Sequence, residues 1–202
     1  MRLFHSATSP YVRKVMVTAI ETGQAEAITL VPSNGTPLTP DEAVAAHNPL
    51  GKVPALETPE GQILFDSRVI CRWLDARAGA GLYGSGDAQW DLMTLEAAAD
   101  GMMDAALLMV YEDRLRPEPI RSLDWVEGQW KKIARTLDVI EDRWMARIEA
   151  PELNIGQIAT ACALAYLDLR HGARDWPAGR DRLAGWFTGF AARPSMTGTG
   201  PA

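Results

Sequence analysis

A glycine-dense stretch divides this chain and constrains what it can fold into. In Ala78-Gly79-Ala80-Gly81-Leu82-Tyr83-Gly84-Ser85-Gly86, glycine recurs at almost every second position, a composition that favours a flexible connection over any regular element. The chain therefore reads as two domains, residues 1–78 and 88–202, with a linker over 79–87. All seven tryptophans lie at or beyond Trp73, so the two halves carry different cores.

The first half mixes short strands and helices. Leu3-Phe4-His5 starts a strand, and Ser9-Pro10 opens a helix, Ser being a good N-cap and Pro favoured at the first helical position. Val12, Val15, Met16, Ala19 and Ile20 follow the i, i+3, i+4 pattern, and Gly23 stands where a C-terminal cap belongs. Residues 27–31 are strand-like. Thr39-Pro40-Asp41-Glu42 has the form of a capping box, with Thr39 as cap of a short helix reaching about Ala46. Val53 to Thr58 and Gln62 to Phe65 flank Pro59-Glu60-Gly61 and predict a hairpin. A helix from Ser67 to Arg77, burying Val69, Ile70, Trp73 and Leu74, completes a β-α-β-α-β-β-α order.

The second half predicts helices only. Residues 88–115 are rich in Ala, Met and Leu, and Val126, Trp130, Ile133, Leu137, Ile140, Trp144 and Ile148 recur at steps of three and four. Asn154 as N-cap, Gln157 at N3, and Leu153 with Ile158 as a hydrophobic staple start a helix that is apolar nearly all round over 159–169. It is expected to be the buried centre of a bundle. A last helix uses Leu183, Trp186, Phe187 and Phe190 and stops at Pro194.

Composition narrows the function. The formal net charge is −6, which lacks the basic field that nucleic acid or an anionic membrane surface requires. Apolar runs such as Ala105 to Val110 are far below the roughly 18 residues of a membrane helix, and the polar start has no signal-peptide core. A cytoplasmic protein is expected. Cys71 and Cys162 each lie in an apolar stretch and read as small buried hydrophobes. His5, His47 and His171 show no metal-ligand spacing with each other or with either Cys, so no metal is expected.

Three segments carry a family resemblance. Asn48-Pro49-Leu50-Gly51-Lys52-Val53-Pro54-Ala55-Leu56, Phe65-Asp66-Ser67 and the opening Ser6-Ala7-Thr8-Ser9-Pro10-Tyr11-Val12-Arg13-Lys14 resemble the glutathione S-transferase family. The opening, with the ending Phe190-Ala191-Ala192-Arg193-Pro194-Ser195, is similar to its small bacterial YibF-like branch. The resemblance implies a thioredoxin-like N-terminal domain with an all-α C-terminal bundle, a homodimer, and no prosthetic group. It also implies glutathione as co-substrate, conjugated to small hydrophobic electrophiles in detoxification.

Site residues follow from the same resemblance. Pro54 matches a cis proline whose predecessor, here Val53, offers its backbone N–H and C=O to the cysteinyl backbone of glutathione, a strand-addition mode that needs no particular side chain. Asp66 and Ser67 would answer the γ-glutamyl group, carboxylate to ammonium and hydroxyl to carboxylate; either residue can equally serve as a plain helix cap. Lys52 would reach the glycyl carboxylate. At the thiol, Ser9-Pro10-Tyr11-Val12 resembles a Cys-Pro-aromatic segment with Ser in place of the reactive Cys. Ser9 stands first as thiolate stabiliser, Thr8 second and Ser6 more distant, and Tyr11 joins the glutathione site. Without Cys in this turn, dithiol redox chemistry is excluded there.

Met102, Met103, Met109 and Tyr111 would line the electrophile pocket, although their helical spacing is also that of ordinary core. Asp100 and Asp104 read as solvated, and Arg13 and Arg68 as surface or interdomain ion-pair residues. The family usually opens its buried helix with Ser or Thr and an Asp at N3; Asn154 and Gln157 replace them, so a weaker cap is expected. Two other functions stay open: a binding or interaction protein with little turnover, and glutathione-dependent isomerisation or dehalogenation.

Overall fold

Strand β1 (Arg2–His5) is the pivot of the first unit. In the computed structural model, which describes residues 1–200, it pairs in parallel with β2 (Thr29–Pro32) and antiparallel with β3 (Ala55–Glu57), and β4 (Ile63–Leu64) pairs antiparallel with β3, giving the order β2-β1-β3-β4. The helices of this unit are α1 (Pro10–Glu21), α2 (Glu42–Ala45) and α3 (Ser67–Ala78). Register and alternation sort the core. Phe4 faces Ala55 across the ladder and packs with Val44 of α2, while Leu3 faces Leu56 on the opposite side of the sheet. Helices α1 and α3 pack together through α1 residues such as Val15 and Ala19 and α3 residues Ile70, Cys71 and Leu74, all fully buried. Val69, expected inside, is exposed, and Cys71 takes the inward place.

Local signals place most element ends. Ser9 caps α1 with its Oγ accepting from Val12 N–H at 3.3 Å, and Pro10 stands at N1. Thr58 N–H donates to Gln62 O at 2.8 Å and Gly61 adopts φ +82°, closing the expected hairpin. The cap of α2 differs from expectation. Asp41, not Thr39, accepts from Ala43 N–H and Val44 N–H, and Thr39 is held instead in a turn by Thr36, Oγ1 to Oγ1 at 2.8 Å.

Two compact units emerge, Met1–Tyr83 with the segment from Pro194 onward, and Gly84–Arg193. The boundary at the C-terminus differs from the sequence reading, because α9 (Pro194–Thr197) belongs to the first unit. Arg13 Nη2 donates to Met196 O at 2.9 Å and Ser195 Oγ to Glu21 Oε1 at 2.5 Å, so Arg13 ties down this segment. The glycine-dense stretch is likewise tethered. Leu82 and Tyr83 are buried, Leu82 N–H donates to Asp75 Oδ1 at 2.8 Å, and Gly79, Gly81, Gly84 and Gly86 all take positive φ.

The second unit contains α4 (Asp87–Arg114), α5 (Leu123–Val139), α6 (Met145–Ile148), α7 (Ile155–His171) and α8 (Asp181–Ala191). Between α5 and α6 the chain makes a π-helical turn over Ile140–Trp144, which interrupts the single helix that the apolar spacing predicts. Helix α7 is the centre: residues 155–164 are all buried. At its start, Asn154 Oδ1 accepts from Gln157 N–H at 3.0 Å and Gln157 Oε1 accepts from Asn154 N–H at 2.9 Å, the expected capping box. Gly156 leaves room for α4, since a Cβ there would lie 2.6 Å from Leu95 Cδ2.

Candidate glutathione site of the first unit

Sheet register brings the sequence-predicted residues to one end. Strand β1 leads at His5 into the 6–9 loop and the start of α1. Phe4 pairs with Ala55, so Val53 and Pro54, just before β3, lie beside the exit of β1. Leu56 pairs with Leu64, so Phe65, Asp66 and Ser67, just after β4, reach the same end. Helices α1 and α3 both begin there. Loops beyond the carboxyl ends of parallel strands are where α/β folds bind ligands, and two helix N-termini add partial positive charge and unpaired N–H groups.

Each residue arrives in a definite state. The Val53–Pro54 peptide is cis, as the resemblance implies, and so is Phe65–Asp66. Val53 packs its side chain on the Phe4, Val44 and Ala55 cluster, and its backbone N–H and C=O have no backbone partner among the described residues. Asn48 builds the approach to it. Its Nδ2 donates to Lys52 O at 2.8 Å, its Oδ1 accepts from Leu50 N–H at 3.0 Å, and Gly51 turns at φ +61°. Asn48 is a site-building residue that the family resemblance does not mark, although Asn-Pro-x-Gly is a turn signature with this mechanism. Lys52 is exposed.

Ser67, at N1 of α3, is 2% exposed. Asp66 is the N-cap: Oδ1 accepts from Arg68 N–H at 3.0 Å and Oδ2 from Arg68 Nη2 at 2.8 Å. Arg68 is thus an ion-pair residue, as expected, and its partner is the site carboxylate itself. Burial pushes the Asp66 carboxyl up, but the Arg68 hydrogen bonds and charge, with the charge of Lys14, outweigh it and hold the group below its ordinary value. Lys14 lies fully buried on α1, which no sequence signal announced. Because the folded-state value is lowered, the ionised carboxylate stabilises the fold above the ordinary value of 3.8, and the contribution is lost as pH falls through the lowered one. Asp66→Asn, which keeps a capping oxygen, is expected to flatten the fall of stability below about pH 4 in urea titrations.

At the thiol end, Ser9 is half-buried and Thr8 exposed. Ser9 Oγ uses a lone pair for the cap, which leaves its hydroxyl hydrogen to donate elsewhere. Tyr11 is half-buried on the first turn.

The residues expected around the electrophile belong to the second unit. Met102 and Met103 are each 1% exposed, which is the burial of core side chains, and Met109 is buried too. Tyr111 is half-buried, and burial raises its phenol above the ordinary value. Asp104 is exposed as expected, but Asp100 is buried. Cys71 and Cys162 are buried free thiols. Among the described residues, no group of His, Cys, Asp and Glu could hold a metal ion, and no helix is long and apolar enough to cross a membrane.

Comparison with known proteins agrees with this architecture. Residues 8–77 match the glutathione S-transferase N-terminal domain and residues 124–189 the glutathione S-transferase C-terminal domain. The chain is 37% identical over 204 residues, covering 100% of this chain and 98% of the relative, to YibF of Escherichia coli (strain K12), an uncharacterized glutathione-transferase-like protein. A glutathione transferase family member from Pseudomonas fluorescens Pf-5, crystallised with bound glutathione, superposes with a TM-score of 0.96 at 43% identity, covering 100% of this chain and 98% of that one. A second structure from that organism, with bound S-(propanoic acid)-glutathione, gives a TM-score of 0.91 at 42% identity and covers 100% of both chains. The chain belongs to the glutathione S-transferase family.

Proposed function

We propose that this protein is a glutathione transferase, binding reduced glutathione at the sheet end that carries Ser9, Val53 and Asp66. The observation that carries this reading is the Val53 backbone, left without a backbone partner beside two helix N-termini. An extended cysteinyl backbone would add there as a strand. Ser67, through its hydroxyl and the first-turn N–H groups of α3, takes the γ-glutamyl carboxylate, Asp66 the ammonium, and Lys52 the glycyl carboxylate. Ser9, or Thr8 in the same turn, donates to the sulfur, and with the α1 dipole lowers a thiol value of about 8.5 toward neutrality. Glutathione bound to a relative 43% identical supports the ligand. The resemblance further proposes a cytoplasmic homodimer acting in detoxification.

The second substrate is a small electrophile. S-(propanoic acid)-glutathione bound to a relative 42% identical supports a carboxylate-bearing one, of the α,β-unsaturated acid class, rather than a purely apolar one. In that step the thiolate lone pair forms a C–S bond to the β-carbon, the C=C π pair moves to the α-carbon, and that carbon takes a proton from water. Of the pocket residues proposed from sequence, Tyr111 retains exposed surface.

Calorimetric titration with reduced glutathione at neutral pH, monitored for the ultraviolet thiolate band, tests the reading. Binding with the band is expected. Binding without it favours a non-catalytic binding protein, and no binding at millimolar glutathione overturns the site.

A further inference from the structure

A cavity of about 320 Å³ opens within the helical unit, between the C-terminal half of α8 and the chain that leads from α6 into α7. Small-molecule sites begin at about this size. Pro151 and Leu153 form one side. Trp186 and Phe190, one turn apart on α8, form the other, with ring centroids 4.9 Å apart. Gly189 completes that wall. Glycine weakens a helix interior relative to alanine, and neither a positive φ nor a clash requires it at 189, where a Cβ would meet nothing within 4 Å. What the glycine preserves is open space along the aromatic wall.

The polar groups around the cavity select its ligand. Every polar group of the Gln157 side chain is engaged by the chain itself: Nε2 donates to Ile148 O and Ala150 O, and Oε1 accepts from Asn154 N–H. The groups that remain for a ligand are donors. Trp186 lines the cavity, and its indole N–H has no hydrogen-bond partner among the described residues. Arg193 Cζ stands over the Phe190 ring, 5.3 Å from its centroid, which sets a cation at the edge of the aromatic wall. A guanidinium carries several N–H donors in a fork, so it can serve a ligand beside the contacts it already makes. No carboxylate lines the cavity; Glu149 is paired with Arg182, and Glu152 is exposed.

We infer that this cavity binds a small aromatic carboxylate. Its ring packs between the Trp186 and Phe190 wall and the Pro151 and Leu153 side, and its carboxylate accepts from Arg193 and from the Trp186 indole. An aliphatic acid lacks the flat face, and a neutral arene leaves the donors unmet. All the lining residues belong to the helical unit, so this site stands or falls apart from the glutathione reading.

Calorimetric titration of the full chain with benzoate, and with benzamide as its uncharged isostere, tests the site. Benzoate is expected to bind saturably and benzamide about ten-fold or more weakly, the worth of one charge-assisted hydrogen bond. Arg193→Gln is expected to erase that preference. Gly189→Leu, which fills the cavity from a helix position where leucine is favoured over glycine, is expected to abolish benzoate binding with the urea midpoint kept or raised. A second measurement is independent of that variant: benzoate is expected to change the tryptophan emission, and Trp186→Phe, which keeps a ring in place, to remove the change. No saturable binding of benzoate up to about 10 mM overturns the site. So does binding that survives Gly189→Leu, or an emission change that survives Trp186→Phe, since either places the ligand elsewhere. Equal affinity for benzoate and benzamide overturns the assignment of a carboxylate.

Discussion

Replacing Ser9 by glycine is expected to lower kcat for glutathione conjugation by about 10²- to 10³-fold, the loss found when one donor to a developing or stabilised anion is deleted. Glutathione affinity should change by no more than a few-fold, because the proposed binding mode holds the tripeptide mainly through Val53, Asp66 and Ser67. The choice of glycine matters. Ser9 Oγ also caps α1 by accepting from Val12 N–H at 3.3 Å, and an alanine there would cost about 1 kcal/mol of stability, whereas glycine costs only a few tenths. Pro10 at N1 still presets the helix start. A fall in turnover would then report the hydroxyl rather than the cap. The same variant should raise the apparent value of the bound thiol toward about 8.5 in the pH–rate profile, a shift that loss of packing would not produce. Thr8→Val is the matched control, since Thr8 is exposed and valine keeps its shape. Should Thr8→Val lose turnover while Ser9→Gly keeps it, Thr8 is the thiol's partner. If both variants retain full kcat, the sulfur is stabilised by the α1 dipole alone.

What could be read in the sequence was local chemistry. Ser9-Pro10 marks the start of α1, Pro59-Glu60-Gly61 the hairpin, and Asn154 with Gln157 the capping box, because each acts within a few residues of itself. The capping-box pattern points to Thr39 and misses Asp41 as the cap of α2, because Thr36 engages Thr39 in a turn and leaves the cap to Asp41. Contacts between distant residues left no trace. Ser195 meets Glu21 across 174 positions, and nothing near Arg13 announces that it holds the C-terminal segment. Burial of Lys14 and Asp100 runs against composition rules, which place such residues in water. Met102 and Met103 were legible as apolar, but helical spacing alone cannot separate a pocket wall from a packed core. In the candidate site, Asp66 was legible as cap and carboxylate together, whereas its closure by Arg68 depends on a side-chain conformation that sequence does not encode.

Gln157→Glu is expected to destabilise the helical unit by about 2–4 kcal/mol at pH 7, although it moves this position toward the acidic residue usual in the family. Two effects compete. A carboxylate at N3 gains about 0.3–1 kcal/mol from the helix dipole. Against this, the amide of Gln157 does what a carboxylate cannot: Nε2 donates to Ile148 O and to Ala150 O, both at 2.9 Å, while Oε1 accepts from Asn154 N–H. Gln157 is buried, so the substitution leaves two shielded carbonyl oxygens without a donor, at about 1–3 kcal/mol each, and sets a negative charge beside them. The second effect wins. Burial and the facing carbonyls should raise the introduced carboxyl in the folded state, so its penalty grows as pH rises above about 4.3 and shrinks below it, where the protonated acid can donate to one carbonyl. Urea unfolding of both proteins across pH 4 to 8 measures this directly. Equal stability at pH 7 would mean that the two carbonyls find other partners. The expected loss would mean that Asn154 and Gln157 are not a weaker version of the family's cap, but a neutral one that trades dipole energy for two further hydrogen bonds to the chain entering α7.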